Sequence, residues 1–540
     1  MKKLLSVILA VVMTVSVFAA PVAFAAYEPA NQGSVSDESH SESAFTKTFY
    51  NFTDKLVEVL VGVINIMIPA PYSWGRADKH VTENIMTGDD TFLDSPADGA
   101  KWSLGYANAS LLEGQDVLDG KHFVGGSITV TKKTATEVWD DLKVRTIALD
   151  DGSGRGTVVI AVLDAFGLPN CDVKLMRSEL ADYFEANNVK SFNVACLHQH
   201  SAVDTLGLNG SISSVLFVNP FLKLVGKNMK SGRNDSYMRN LYDVVEASVK
   251  SAVEDMTEGT LYYGKADISP YMTDKRDPQV LDNYSERFRF VPDDGTEETW
   301  LASSCIHCVG NGAGQREVTG DYPYYMEKYI NETYGANFAL ILGAEQGTSQ
   351  DKSTTNAEGM TTVEELDAFG TKLAQILNDI SDETEVEPIL NYAGKEVQFD
   401  VSNCILLFAG KVGLFPNEIV RTGLNKFSVI SEIGYMEIGA DIAVPIIPGE
   451  AAGEMLYGGY CTAENSWTGK DFDATTISEL VGDKEIVALG VCNDMIGYII
   501  PDNDYMPLLY PNNKSLEVVA LGNRTCSAVL SEFEELINSK

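Results

Sequence analysis

An apolar run that reads as a buried strand, Asn193-Val194-Ala195-Cys196-Leu197, breaks into a polar loop at His198-Gln199-His200-Ser201. In extended backbone the i, i+2 spacing turns both imidazoles to the same side. Just upstream, residues 145–151 and 157–166 read as two strands, and residues 173–186 carry a helical period. Strand, helix, strand in that order predicts an α/β fold: mixed sheets layered with helices, with polar groups gathered at strand ends. The turn Asp151-Gly152-Ser153-Gly154-Arg155-Gly156 enters a strand and has no following Lys-Ser/Thr. It is a hairpin, not a phosphate loop.

The same arrangement recurs downstream. Residues 299–307 read as a strand that gives way to a Gly-rich loop at His307, and residues 438–447 as one that ends in Pro448-Gly449-Glu450. Further strands are expected at 259–268, 287–292, 337–343, 397–409, 485–492 and 498–500, with helices at 236–256, 322–334, 362–377 and 531–537. The chain has only six histidines, so two of them at one strand end require an explanation. Neutral imidazole is the commonest zinc ligand, and a catalytic zinc takes His, Glu or Asp ligands while keeping a position open for water. On these residues alone, two hydrogen-bonded loop histidines remain the plainer alternative. Cys196, Cys305, Cys404 and Cys492 lie in or beside apolar runs and are expected to be small buried hydrophobes. Cys305-Ile306-His307-Cys308 lacks the second nearby Cys/His cluster of a closed structural zinc site, and no disulfide is assigned.

At the start of the chain, Lys2 and Lys3, the apolar residues 4–20 and Ala23-Phe24-Ala25 have the three parts of a secretory signal peptide spanning residues 1–25. The expectation is an exported, soluble protein without a lipid anchor, since no Cys follows the cleavage point. Removing the leader leaves 38 basic against 77 acidic residues, which takes the formal charge from −37 to −39. Such a chain repels phosphate backbones, which excludes nucleic acid as a partner. Residues 26–70 are expected to hold a disordered, Ser/Glu/Asn-rich arm followed by an apolar segment at 52–68. That segment is too short and interrupted for a membrane span. It is either a helix packed on the main domain or an amphipathic element that touches a lipid surface or lids a site. Residues 71–540 show no repeat or linker and are expected to form one domain.

In order and spacing, five features resemble the neutral/alkaline non-lysosomal ceramidases: His198-Gln199-His200-Ser201, the strand-end His307, the loop from Gly343 to Asp351, Pro448-Gly449-Glu450, and the Tyr-rich stretch after Cys492-Asn493. The resemblance spans roughly residues 71–520. It implies a zinc ion held by His198, His307, Glu450 and Tyr498, with His200 and Tyr510 contacting the reacting amide. It also implies a secreted zinc-dependent hydrolase of ceramide-like or other N-acyl lipids. Two positions depart from the family pattern: Ile268 stands where members carry Arg, and Gly320 where they carry Ser. The immunoglobulin-like C-terminal domain of full-length members is expected to be missing. Because both altered positions approach substrate in the family, two other readings stand beside the hydrolase. One is a weak or silent member that binds a lipid or glycan; the other is a likeness of fold alone, with His198 and His200 structural.

Overall fold

The run that ends at His198 is the last strand of a nine-stranded mixed sheet in the computed structural model. The structure describes residues 43–540 apart from 72, 127–133, 210–217, 226, 228, 275, 277, 344–347 and 511–515. The leader at 1–25, most of the arm that follows it and part of the Gly343–Asp351 loop lie outside the described residues.

The large sheet comprises β1 (Trp102–Ser110), β2 (Lys143–Asp150), β3 (Thr157–Leu163), β4 (Val189–Cys196), β5 (Thr257–Asp267), β6 (Tyr284–Pro292), β7 (Thr299–Ser304) and β8 (Asn337–Leu342). They run in the order β8-β7-β6-β5-β1-β2-β3-β4, and Thr384–Glu385 adds to β5. The pairs β3–β4 and β7–β8 are parallel; the rest of this path is antiparallel. Alternate residues feed two cores. Ile147 and Ile160 face a cluster with Tyr322 and Phe369, whereas Ala148 and Val159 face one with Val173 and Leu241. The covering helices include α2 (Asn170–Glu179), α3 (Ala181–Ala186) and α4 (Asp235–Glu254) on the second side, and α5 (Asp321–Tyr334) and α6 (Thr362–Asn378) on the first.

A second, five-stranded sheet is built from β9 (Leu390–Asp400), β10 (Ile419–Gly423), β11 (Lys426–Ile438) and β12 (Ile442–Ile446), with Glu485–Ile486 added parallel to β12, and carries α8 (Thr525–Asn538). Between its first two strands lies α7 (Cys404–Lys411), and α1 (Ala44–Met67) packs on α7. The mixed α/β architecture matches the expected class. Two local expectations do not hold. The strand expected over 397–409 stops at Asp400, because the Asn403 side chain accepts bonds from Ile405 and Leu406 N–H and starts a helix. The strand expected over 485–492 is laddered only at Glu485–Ile486.

The remainder of that second segment crosslinks strand ends. Gly490 N donates to Leu342 O at the end of β8, Cys196 N on β4 donates to Val491 O, and Cys492 N donates to Ile447 O beyond β12. Asn493 N donates to Val194 O, and its side chain accepts from Val194 N. Val491 and Asn493 both sit at positive φ, 44° and 60°. For β-branched Val491 this is a costly conformation that the surrounding bonds hold in place.

Candidate metal centre

The crosslinking segment draws together the ends of β4, the β7–β8 pair and β12, the three places from which His198, His307 and Glu450 emerge. His198 leaves β4 in the left-handed region, φ 48°, and its Nδ1–H donates to Phe166 O at 2.8 Å. That bond fixes the tautomer with Nε2 as the free donor atom. His200 is set by its backbone N–H on Cys308 O at 3.1 Å and by Gly126 beneath it. A Cβ on Gly126, which has φ +81°, would stand 2.4 Å from His200 Cα, so only glycine fits there.

Gln199, between the two histidines, points the opposite way. Its Nε2 donates to Asp164 Oδ1 at 3.1 Å and to Gly320 O at 2.6 Å. Asp164 in turn pairs with Arg145 at 2.7 Å, and Arg145 with Glu327 at 2.6 Å, all three fully buried. The loop is thereby anchored on a buried ion-pair network. Glu450 belongs to a two-residue parallel ladder that sets it opposite Tyr498, β13 (Glu450–Ala451) with β14 (Tyr498–Ile499), and the Tyr498 side chain hydrogen-bonds to the carboxylate.

The geometry is tight. Glu450 Oε2 lies 3.4 Å from Nε2 of His198 and 3.4 Å from Nε2 of His307. The three imidazoles of His198, His200 and His307 offer nitrogens within 4.8 Å of one another. Two ligand atoms about 2.0–2.1 Å from one tetrahedral zinc stand about 3.3–3.4 Å apart, so the His198–Glu450–His307 spacing fits such an ion. The 3.4 Å separations are long for hydrogen bonds, and His198 Nε2 and Glu450 Oε2 are buried with no hydrogen-bond partner among the described residues. A cation would satisfy both atoms. Burial, then the neighbouring His307 and His200, drives the His198 pKa well below its ordinary value and keeps the ring neutral. Burial raises the Glu450 pKa, against the opposing pull of His307 and Tyr498.

His200, Glu450 and Tyr498 form the polar end of a cavity of about 170 Å³. Apart from Asn417 its other walls are apolar, among them Phe166, Leu206, Leu406, Leu407, Met495 and Leu521. Tyr510 is not among the residues that line this cavity; its buried ring packs on Trp467, centroids 4.7 Å apart, and on Tyr50 of α1, 5.2 Å apart. Ile268 is buried in the core, and Gly320 contributes only backbone, its N–H to Asp140 and its carbonyl to Gln199. Cys196, Cys305, Cys404 and Cys492 are buried, as the apolar runs around them lead one to expect. Sequence reasoning missed Gly126, Phe166, Asp164 and the structural part of Asn493. The Phe166 role is played by a carbonyl, which leaves no mark in a sequence.

No family model matches the chain, and no curated protein matches it. Among solved structures it is similar to the neutral ceramidase from Pseudomonas aeruginosa, with TM-score 0.60 and 12% identity over 82% of this chain and 74% of that one. It is similar also to a ceramidase complexed with C2, with TM-score 0.58 and 14% identity over 81% and 75% of the two chains. The likeness is one of fold, and it extends over most of the chain.

Proposed function

We propose that the protein is a secreted zinc-dependent hydrolase that cleaves the amide bond of ceramide-like or other N-acyl lipids with a metal-activated water. The observation that carries this reading is the Glu450 oxygen 3.4 Å from two buried imidazole nitrogens at the polar end of an apolar cavity. The ceramidase fold supports it.

In this reading His198, His307, Glu450 and Tyr498 hold the ion. A zinc held there supplies Lewis acidity and lowers the pKa of a bound water toward about 7. The residues of the chain do the rest. The Phe166 carbonyl orients His198 through Nδ1, and Tyr498 orients the Glu450 carboxylate. His200, on the cavity wall beside both, carries the proton to the leaving amine. Tyr510 is assigned as donor to the developing oxyanion on motif order alone. The aliphatic walls take the acyl or alkyl part of the substrate and keep water from it.

The test is a panel of N-acyl amides, ceramides and simple esters, with the wild-type protein set against His198→Ala. The proposal expects turnover of at least one acyl amide, and loss of about 100-fold or more in the variant. Full activity in His198→Ala contradicts it. Absence of turnover across the panel would favour the silent lipid- or glycan-binding reading instead.

A further inference from the structure

α7 has two faces with different duties. Leu406 and Leu407 line the cavity, while its far end at Lys411 is the meeting point of three separate segments. Lys411 Nζ donates to Asn65 O on α1 at 2.6 Å and lies 3.4 Å from Asn425 Oδ1 at the tip of the β10–β11 hairpin. Lys223, from the short helix Asn219–Leu224, donates to Lys411 O at 3.0 Å.

Each of these segments turns large apolar side chains to solvent. On α1, Phe45, Phe52, Val59 and Ile66 are 62–81% exposed and recur every seven residues, with Phe49, Leu56 and Val63 between them. Leu424 at the hairpin tip is 100% exposed, and Phe221 on the short helix 63%. A soluble monomer rarely leaves so many large apolar side chains open on adjoining segments. The charge around it is inverted relative to the rest of the chain. Lys227, Lys230, Arg421 and Lys426 are exposed beside Lys223 and Lys411, in a molecule of formal charge −37. Acids are near as well: Asp54 and Glu58 on α1, Asp78, which pairs at 2.8 Å with Arg76 beside Arg421, and Glu418, which is occupied by His80 at 3.3 Å and Lys174 at 3.8 Å. Burial first, and then the Lys411 charge, pull the Lys223 pKa down to about 8. Among the described residues no helix is long and apolar enough to cross a membrane.

We infer that this face, formed by α1, the Asn219–Leu224 helix and the β10–β11 tip, docks on an anionic phospholipid surface, with apolar side chains in the headgroup boundary and the lysines on the phosphates. Apolar insertion flanked by basic residues is the chemistry of interfacial binding. A two-fold contact with a second copy would set basic patch against basic patch. The cavity wall at Leu406 and Leu407 is one helix away, so a docked molecule holds its cavity beside lipid. The inference concerns binding alone and stands apart from the hydrolase reading.

Flotation of the purified protein beginning at Tyr27, which contains every described residue, tests it. Two vesicle preparations are used: phosphatidylcholine with about one-third phosphatidylglycerol, and phosphatidylcholine alone. The expected result is flotation that is stronger on the anionic vesicles and weakens with salt. Phe221→Ser combined with Leu424→Ser should reduce it, and Lys227→Glu combined with Lys426→Glu should reduce it at least about tenfold. His198→Ala should float like wild type, which separates this outcome from any failure of catalysis. Circular dichroism of each variant verifies the fold. Absence of flotation, or flotation unchanged in both double variants, overturns the inference. So does a dimer in sedimentation that Val59→Ser dissolves, which would assign the face to a second copy. Binding that appears only after residues 27–42 are removed would assign the face to that segment and overturn it as well.

Discussion

At the scale of single residues, the site depends on groups whose only task is to hold another group still. Gly126 is the sharpest case, because any side chain there collides with the His200 backbone in a left-handed conformation. Gly126→Ala should destabilise the protein by about 1–3 kcal/mol, read from denaturant midpoints, and should lower turnover more than it alters KM. Asp164 carries more. It accepts from Gln199 and balances buried Arg145, so Asp164→Asn leaves that guanidinium with one fewer charge partner. The expected cost is about 3–5 kcal/mol, and restoring the charge as Asp164→Glu should not recover the whole of it, since the pocket is shaped for the shorter acid. A cost below about 1 kcal/mol would mean the network does not anchor the loop.

At the scale of elements, the Gly490–Asn493 crosslink decides whether three strand ends meet. Asn493 accepts from Val194 N, donates to Asn193 Oδ1 at 2.8 Å and adopts a positive φ that asparagine tolerates. Asn493→Ala should lower stability by about 2–3 kcal/mol and weaken metal retention with it, measured by dialysis against chelator. Metal retention unchanged in a destabilised variant would uncouple the crosslink from the site. This element also marks what a single sequence can and cannot disclose. The strands that end at His198 and His307 were legible, because apolar runs breaking into polar loops have few other meanings. The helices at 235–254, 321–334 and 362–378 were legible from their period. Residues 490–492 read as the end of a strand over 485–492 because they carry no polar side chain, yet they are buried by three different strand ends instead of by a ladder. α7 read as strand for a related reason: a short, wholly apolar run has no period to choose by, and only the Asn403 cap tells it apart. β1 and β11 escaped because Gly105 and Gly434 interrupt their patterns, each where another segment of the chain passes close. The packing of Tyr510 on Trp467 and on Tyr50 of α1 joins segments far apart in sequence, which motif order does not convey.

At the scale of the whole molecule, the acidic character extends into the interior. Burial pushes the Asp140 pKa up to about 6, that of Asp494 to about 7 and that of Glu286, which also feels Asp282, to about 8. A carboxyl raised in the folded state binds its proton more tightly there than in the unfolded chain. Stability therefore falls as pH rises through the window between the two values, and is regained as pH is lowered. His198 has the opposite sign: held neutral by burial, it lets the unfolded chain gain the proton below its ordinary value of 6.5, so stability is lost there. Three carboxyls against one histidine leave the balance with the carboxyls, so the melting temperature should rise as pH is lowered from about 8.5 toward about 4.5. Asp494→Asn should flatten the upper part of that curve. A melting temperature that climbs steadily toward alkaline pH would show these carboxyls are not buried as described.

The most direct measurement is anomalous diffraction from crystals of the protein, collected on both sides of the zinc absorption edge. The account predicts a single peak per chain, within bonding distance of His198 Nε2, His307 Nε2 and Glu450 Oε2, that vanishes below the edge. A map with no peak there, or a zinc bound elsewhere while these three side chains face one another empty, would contradict it.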